Sequence, residues 1–376
     1  MTDISIIGCG FAALTAARHL RRHLPDAGID MIAPRPELLY APSLIWIPSG
    51  LRRPEQLRIP VERFLERHRI RFHASTVQGL ADQGRTVVTR DGEIANDGLV
   101  IASGGRFIRK LPGIEHAIAL CEGIEAAEAI RDRLGAMAGG RIAFGFGGNP
   151  KEPSAMRGGP MFELLFGIDT LLRRQGRRDR FELTFFSAAA EPGKRLGARA
   201  VKRLLAEMER RGIGTHLGHR ILGFEADRVR TEGGEVEADL ILFMPGMTGP
   251  AWVADSGLPL SPGGLVQADE HCRVPGLERV YVAGDCGSYP GPDWMPRQAH
   301  MADLQAAAAA ENLALEMGGG RPRATFRTEL VCIVDSLDRG ILVYRNPRRS
   351  IMFQSRLLHH AKRFFEWWYL RRYRRG

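Results

Sequence analysis

A chain of 376 residues is long enough for two or three domains with cores of their own, and 44% hydrophobic with 26% charged residues describes a soluble globular protein. The formal charge of +10 points to an anionic partner (nucleic acid, anionic lipid or a small anion) or, equally, to a solvated basic surface. No apolar run reaches the ~18 residues of a spanning helix, and Cys9, Cys121, Cys272, Cys286 and Cys332 are too scattered for a CxxC or zinc site. That scatter favours a reducing compartment, and no secretory signal is expected before the first strand.

The chain opens on an apolar run, Ile4-Ser5-Ile6-Ile7, that enters Gly8-Cys9-Gly10 and then a helix-like segment near Phe11. This reads as the strand, phosphate turn and helix of a dinucleotide-binding unit. Gly8 permits the tight turn, Gly10 lets the backbone approach a pyrophosphate, and the helix turns its positive end toward it. Ala13 takes the place of the usual third glycine. A second parallel strand is expected at Ile29-Asp30-Met31-Ile32-Ala33, but Ala33-Pro34-Arg35 supplies no acid for a ribose, so adenosine must be held differently. The proline-punctuated stretch 40–50 reads as neither helix nor strand, an apolar loop buried against something flat. A helix is expected over 61–68, extended chain over 70–73 and a hairpin around Asp91-Gly92. Leu99-Val100-Ile101-Ala102-Ser103-Gly104 then resembles the strand and turn that return the chain to the first domain in flavoproteins with two dinucleotide domains.

A second α/β unit follows, with a strand over 141–146, the turn Gly147-Gly148-Asn149-Pro150, a helix over 162–174 and a strand over 181–186. Asparagine and proline stand where a phosphate turn should continue, and proline removes an amide donor, so this half makes a poor nicotinamide nucleotide site. A helix over 198–211, extended chain over 212–216 and a hairpin at Gly233-Gly234 complete the unit, and 239–246 brings the chain back. Arg279-Val280-Tyr281-Val282-Ala283-Gly284-Asp285 is an apolar strand ending in Gly-Asp, followed by a long helix over 298–317. In flavoproteins of this plan the aspartate accepts hydrogen bonds from the ribityl chain. Three matching pieces in the right order point to FAD.

Taken together, these residues make the chain similar, nearly end to end, to the sulfide:quinone oxidoreductase family, close to flavocytochrome c sulfide dehydrogenases and type II NADH dehydrogenases. Tyr40-Ala41-Pro42-Ser43 resembles that family's flavin-side loop. Leu120-Cys121-Glu122 resembles its first cysteine segment, and Val331-Cys332-Ile333-Val334-Asp335 its last. The resemblance implies an α/β fold of two Rossmann-like dinucleotide-binding domains, with the FAD domain discontinuous over 1–110 and 246–320, the second domain over 111–245, and a membrane-associated region over 321–376. It implies FAD contacts at Gly8, Gly10, Ala13, Ala33, Arg35, Ser43, Val77, Ala102, Ser103, Gly104, Gly284, Asp285 and Arg297. It also implies electron flow from sulfide through FAD to quinone, with sulfur passed between two cysteines. One matches Cys332. At the other, Arg157-Gly158-Gly159-Pro160-Met161-Phe162-Glu163 carries arginine in place of the thiol. Glu125 and Arg195 stand at histidine positions, and Arg297 at a lysine position. Cys332, Cys121 and Arg157 are therefore the catalytic candidates, with Arg157 drawing in a small sulfur anion.

Over 355–373, Leu357, Leu358, Ala361, Phe364, Phe365, Trp368 and Tyr369 recur at helical spacing among Arg356, Lys362, Arg363, Arg371, Arg372, Arg374 and Arg375. An apolar stripe with a basic rim suits a helix lying peripherally on an anionic membrane surface, with a core-docked helix or a dimer contact as the other reading. Quinone is then expected near Cys332, Tyr344 and Phe353. No nucleic-acid-binding module accompanies the basic tail, and a homo-oligomer stays open. An NAD(P)H:quinone reductase and a flavin-bound redox sensor are the other readings of function.

Overall fold

The structure, a computed structural model, describes residues 2–374; Arg375 of the basic tail lies outside them. Two five-stranded parallel sheets follow one plan. In the first, Asp3–Ile7 is central, with Gly28–Ala33 and Arg71–Ala74 to one side and Gly98–Ile101 and Val280–Val282 to the other. In the second, Gly140–Phe146 is central, with Phe181–Ser187 and Gly214–Leu217 to one side and Leu240–Met244 and Ala117–Ile118 to the other. Parallel strands buried on both faces are apolar along their length, as Ile4, Ile6, Ile7, Ile142, Phe144 and Phe146 are. Each half also carries a three-stranded antiparallel meander, Val77–Ala81, Thr86–Thr89 and Gly92–Ala95 in one, Ile221–Glu225, Arg228–Thr231 and Gly234–Glu237 in the other.

The helix Phe11–His23 packs against the long helix Ala299–Met317. Both are rich in buried alanine, which lets the two backbones approach closely. Gly284 lies where they meet: a Cβ there would stand 3.2 Å from Ala12 and 3.5 Å from Ala302, at a φ of +82°. The third layer is C-terminal, an antiparallel sheet of Leu330–Asp335, Gly340–Arg345 and Ser350–Ser355 followed by the helix Leu357–Arg374.

Two sequence expectations change. Residues 40–50 are not irregular throughout, because Pro42 starts a 3-10 helix, Ala41–Trp46, with Ser43, Leu44, Ile45 and Trp46 buried. What it packs against is the C-terminal region: Trp46 Nε1 donates to Asp335 at 2.8 Å, and Ser43 Oγ donates to Glu366 at 2.8 Å. The tail helix is also not a simple apolar stripe. Leu358, Tyr369 and Lys362 turn inward, while Phe364, Phe365 and Trp368 point out. Inward groups are held by polar partners: Glu366 by Ser43 and Arg52, Tyr369 by Asp303, and Lys362 by Glu163.

Candidate active site

A glycine-lined cradle lies at the ends of parallel strands in the first sheet. Gly8 has φ +113° and no room for a side chain, since a Cβ would lie 2.3 Å from the Ala102 carbonyl oxygen. Gly10 is the reverse, with nothing within 4 Å of a Cβ built on it. Open space thus meets the start of the helix at Phe11, whose first turn has no side-chain cap and no acid. Unpaired amides at a helix N-terminus suit a pyrophosphate. Beside them Ser103 Oγ is buried and has no hydrogen-bond partner, and Gly104 at φ +72° again leaves open space. An orphaned hydroxyl, an open glycine and an uncapped helix fit a dinucleotide cofactor. Ala13 and Ala33 are buried, Val77 is buried at the start of its meander, and Arg35 is exposed.

Across from that turn, Gly284, Asp285 and Arg297 line a cleft with the start of the helix Ala299–Met317. That helix is also uncapped by side chains and has no acid in its first turn. Arg297 clamps the Gly-Asp turn, donating to the Asp285 and Gly287 carbonyls at 3.0 and 2.6 Å and to Ser154 Oγ at 3.2 Å. Asp285 itself is ion-paired with Arg157.

Cys121 lies beside that same guanidinium, which lowers its thiol pKa, but burial dominates and pushes it up to about 11. Cys332 sits in the antiparallel sheet, opposite Val343. A Cβ on Gly159 would come 3.8 Å from its sulfur. Its thiol is pushed up to about 12, by burial first and then by the negative charge of Glu163. Both cysteines therefore rest as thiols. Glu163 raises both of them electrostatically, and its own carboxyl is pushed up to about 7 by burial, with Lys362 opposing. Arg157, Cys121, Glu163, Lys362 and Cys332 are thus brought to one place around the start of the helix Gly159–Arg174. Pro160 near its beginning supplies a fixed φ and needs no amide partner.

The pair Glu163–Lys362 was not among the sequence candidates; Lys362 was assigned to the basic rim. The signal that could have found it is the Glu163 carboxylate on an otherwise apolar helix face, which must have a cation partner when buried. The triad of Asp335, His359 and Trp46 was missed too. Asp335 accepts from Trp46 Nε1 and stands 2.9 Å from His359 Nδ1.

Other thiols have packing surroundings. Cys286 donates to the Ile101 and Ala283 carbonyls at 3.4 Å, and Cys9 and Cys272 are buried. Tyr344 is half-buried, its hydroxyl accepting from Asn346 at 3.0 Å. Phe353, Phe364, Phe365 and Trp368 are 50%, 63%, 50% and 49% exposed, a large apolar area to leave in water.

The turn after the strand Gly140–Phe146 is closed by the chain itself. Asn149 Nδ2 donates to the Met247 and Gly263 carbonyls, both at 2.9 Å, and the Gly148 backbone abuts Gly246.

Two parallel-sheet nucleotide folds with a dinucleotide cradle in the first define a flavin-dependent oxidoreductase. The chain belongs to the pyridine nucleotide-disulphide oxidoreductase family, whose profile matches residues 2–309, and it is an FAD-dependent enzyme. It is 24% identical to the sulfide-quinone reductase of Aquifex aeolicus (strain VF5), over 99% of this chain and 91% of that protein. The X-ray structure of the sulfide:quinone oxidoreductase from Aquifex aeolicus superposes with a TM-score of 0.90 at 24% identity, covering 100% of this chain and 92% of that one. A NAD-dependent persulfide reductase from A. fulgidus superposes with a TM-score of 0.70 at 21% identity, over 92% of this chain and 65% of that one. Among the described residues no helix is long and apolar enough to cross a membrane.

Proposed function

We propose that the chain oxidises a small sulfur anion of the sulfide type and delivers the electrons to a membrane quinone. The position of Cys332 carries this reading. Its neighbour Val331 donates a backbone amide to Gln298, the residue that precedes the helix at the cleft, at 3.4 Å. Val331, Ile351 and Phe353 on the same small sheet are exposed apolar residues. One strand thus links thiol, flavin cradle and an apolar surface fit for a lipid-soluble acceptor.

Bound FAD supplies the two-electron relay between donor and quinone. The remaining chemistry belongs to side chains. Cys332 would hold the sulfur as a persulfide: its thiol and the hydrosulfide each lose a proton, and the electron pair released as the S–S bond forms would have bound FAD as its acceptor. Glu163, with a carboxyl near neutrality, takes the thiol proton and exchanges it, and Lys362 stabilises the carboxylate when the proton leaves. Arg157 offsets the Asp285 charge and lies beside the buried Cys121 thiol. With no cysteine at position 157, Cys332 alone carries sulfur and the product leaves to an external acceptor.

The tail helix supports membrane association by its inverted face. Ionisable residues Lys362 and Glu366 are turned into the protein, and Phe364, Phe365, Trp367 and Trp368 are turned out. Aromatics in a headgroup layer, rimmed by Arg363, Arg371 and Arg374, suit a peripheral helix on an anionic bilayer. The NAD(P)H reading is weakened by the self-filled turn at Asn149. Cys332→Ser tests the proposal: it should keep FAD and lose sulfide-dependent flavin reduction, and a variant that still reduces its flavin with sulfide refutes the role of this thiol.

A further inference from the structure

The C-terminal antiparallel sheet ends in an unpaired edge. Ser350–Ser355 pairs only with Gly340–Arg345, and its other edge runs along the start of the helix Ala198–Arg210. A groove of about 230 Å³ lies between them, lined by Leu196, Arg199, Ala200, Ser350, Ile351 and Met352. Its walls are tied at both ends. Arg203 on the helix donates to Gln354 Oε1 on the strand, and Arg345 donates to the Lys194 and Arg195 carbonyls at 3.3 and 2.7 Å. A groove held in this way is formed before any ligand arrives, which lowers the ordering cost of binding.

The charged groups that line the groove and lead into it are cationic. Arg199 lines it, and Arg348 and Arg349 are exposed in the turn that runs into Ser350. Among the described residues, none of these three side chains has an ion-pair or hydrogen-bond partner. No carboxylate lines the groove, and the helix has no acid in its first turn. Apolar surface continues from the same place. Ile351 is 49% exposed, Phe353 on the same face of the strand is 50% exposed, and Leu357 at the start of the tail helix is 74% exposed. A soluble anion would satisfy the arginines and leave these side chains in water. A ligand that carries both a phosphate and an acyl chain meets both.

We propose that this groove is a headgroup site for an anionic phospholipid, its phosphodiester held by Arg199 and Arg349 and its acyl chains lying along Ile351 and Phe353. The fork of a guanidinium matches two oxygens of one phosphate, so the contact selects a phosphate rather than negative charge in general. The lipid docks the chain at a second point, apart from the aromatic face of the tail helix, and holds the small sheet of Cys332 against the bilayer. This inference deepens the reading of membrane association and rests on it.

Vesicle sedimentation of the full-length, FAD-loaded protein is the test, at about 0.15 M salt, where a Debye length of roughly 8 Å weakens diffuse attraction. Vesicles of phosphatidylcholine are compared with vesicles that also contain phosphatidylglycerol. The parent should bind the second kind roughly tenfold more tightly or better. Arg199→Gln should lose most of that preference and keep its binding to phosphatidylcholine. Ser350→Leu, at a side chain that faces Gly197 at the helix start, fills the groove without changing charge and should lose the preference too. Melting temperature and FAD content of each variant separate lost binding from lost fold. An undiminished preference in Ser350→Leu marks diffuse attraction and overturns the site. Displacement from the vesicles by inorganic phosphate at the same ionic strength also overturns it, as does self-association of the parent that Arg199→Gln abolishes. Sedimentation with both vesicles and no preference removes the groove alone; sedimentation with neither removes the membrane reading and the site with it.

Discussion

The Arg157 guanidinium, at the position where the resemblance expects a thiol, is ion-paired with the Asp285 carboxylate that ends the Gly-Asp strand. Loss of a thiol has thus become a cross-link between the two nucleotide-type halves, since Arg157 precedes the helix Gly159–Arg174 of the second and Asp285 belongs to the first. Arg157→Ala leaves a largely buried carboxylate unpaired, at a cost of roughly 3 kcal/mol. A lower melting temperature and reduced FAD content are expected, together with a raised KM for sulfide. Arg157→Cys should not recover the melting temperature, because a thiol cannot pair with Asp285. Unchanged stability and FAD content in Arg157→Ala would contradict this assignment.

Glu163 carries a pH dependence whose sign follows from its raised pKa. The carboxyl titrates near 7 in the folded protein against 4.5 ordinarily, so between those values the folded chain holds a proton the unfolded chain has lost. Its contribution to stability is largest below about pH 4.5, falls as pH rises through about 7 and is level above. Glu163→Gln should remove that part of the slope in denaturation midpoints measured from pH 4 to 8. It should also abolish a limb near pH 7 in the pH profile of quinone reduction, and a profile identical to the parent would refute the proton role.

Phe364 and Trp367 are exposed on the outer face of the tail helix, their rings 5.6 Å apart between centroids and Arg371 over Trp367. Replacing both by glutamate removes two aromatic anchors, each contributing about 1.5–3 kcal/mol when fully buried in an apolar phase. Vesicle sedimentation should therefore fall by at least tenfold, more visibly on anionic than on zwitterionic lipid, while the melting temperature in detergent stays near the parent value. Glu366→Ala makes the contrast: it breaks the buried contacts to Ser43 and Arg52 and should lower the melting temperature.

NADH and NADPH are expected not to reduce the flavin. Asn149 has pinned its own turn to Met247 and Gly263, and an asparagine-proline pair withholds an amide there. Asn149→Ala should destabilise by about 1–3 kcal/mol through two lost buried hydrogen bonds without creating nucleotide binding. Rapid bleaching by NADH in anaerobic mixing would overturn this prediction.

The turn geometry at the ends of the first sheet was legible because its physics is local. Gly8, Gly10 and Ser103 sit at turns directly joined to strands, so the motif and its geometry coincide in sequence. The site around Cys332 was legible only in part. Cys121, Glu163, Cys332 and Lys362 come from four distant segments, and nothing in the periodicity of the tail says that Lys362 turns inward. Helical spacing marks Tyr369 and Phe365 as alike, yet Tyr369 reaches Asp303 at 2.9 Å while Phe365 stays outside. That difference depends on which neighbour offers a buried acid, a tertiary fact. The 3-10 helix at Ser43 escaped for the same reason, since its order comes from Glu366 and Asp335, far along the chain.

The most direct test of the central claim is the anaerobic absorbance of the protein-bound flavin, first mixed with sulfide and then with a soluble quinone. Bleaching by sulfide within the turnover time and full recovery on adding quinone is the predicted result. A flavin that stays oxidised with sulfide, while the protein is folded and fully loaded with FAD, would contradict it.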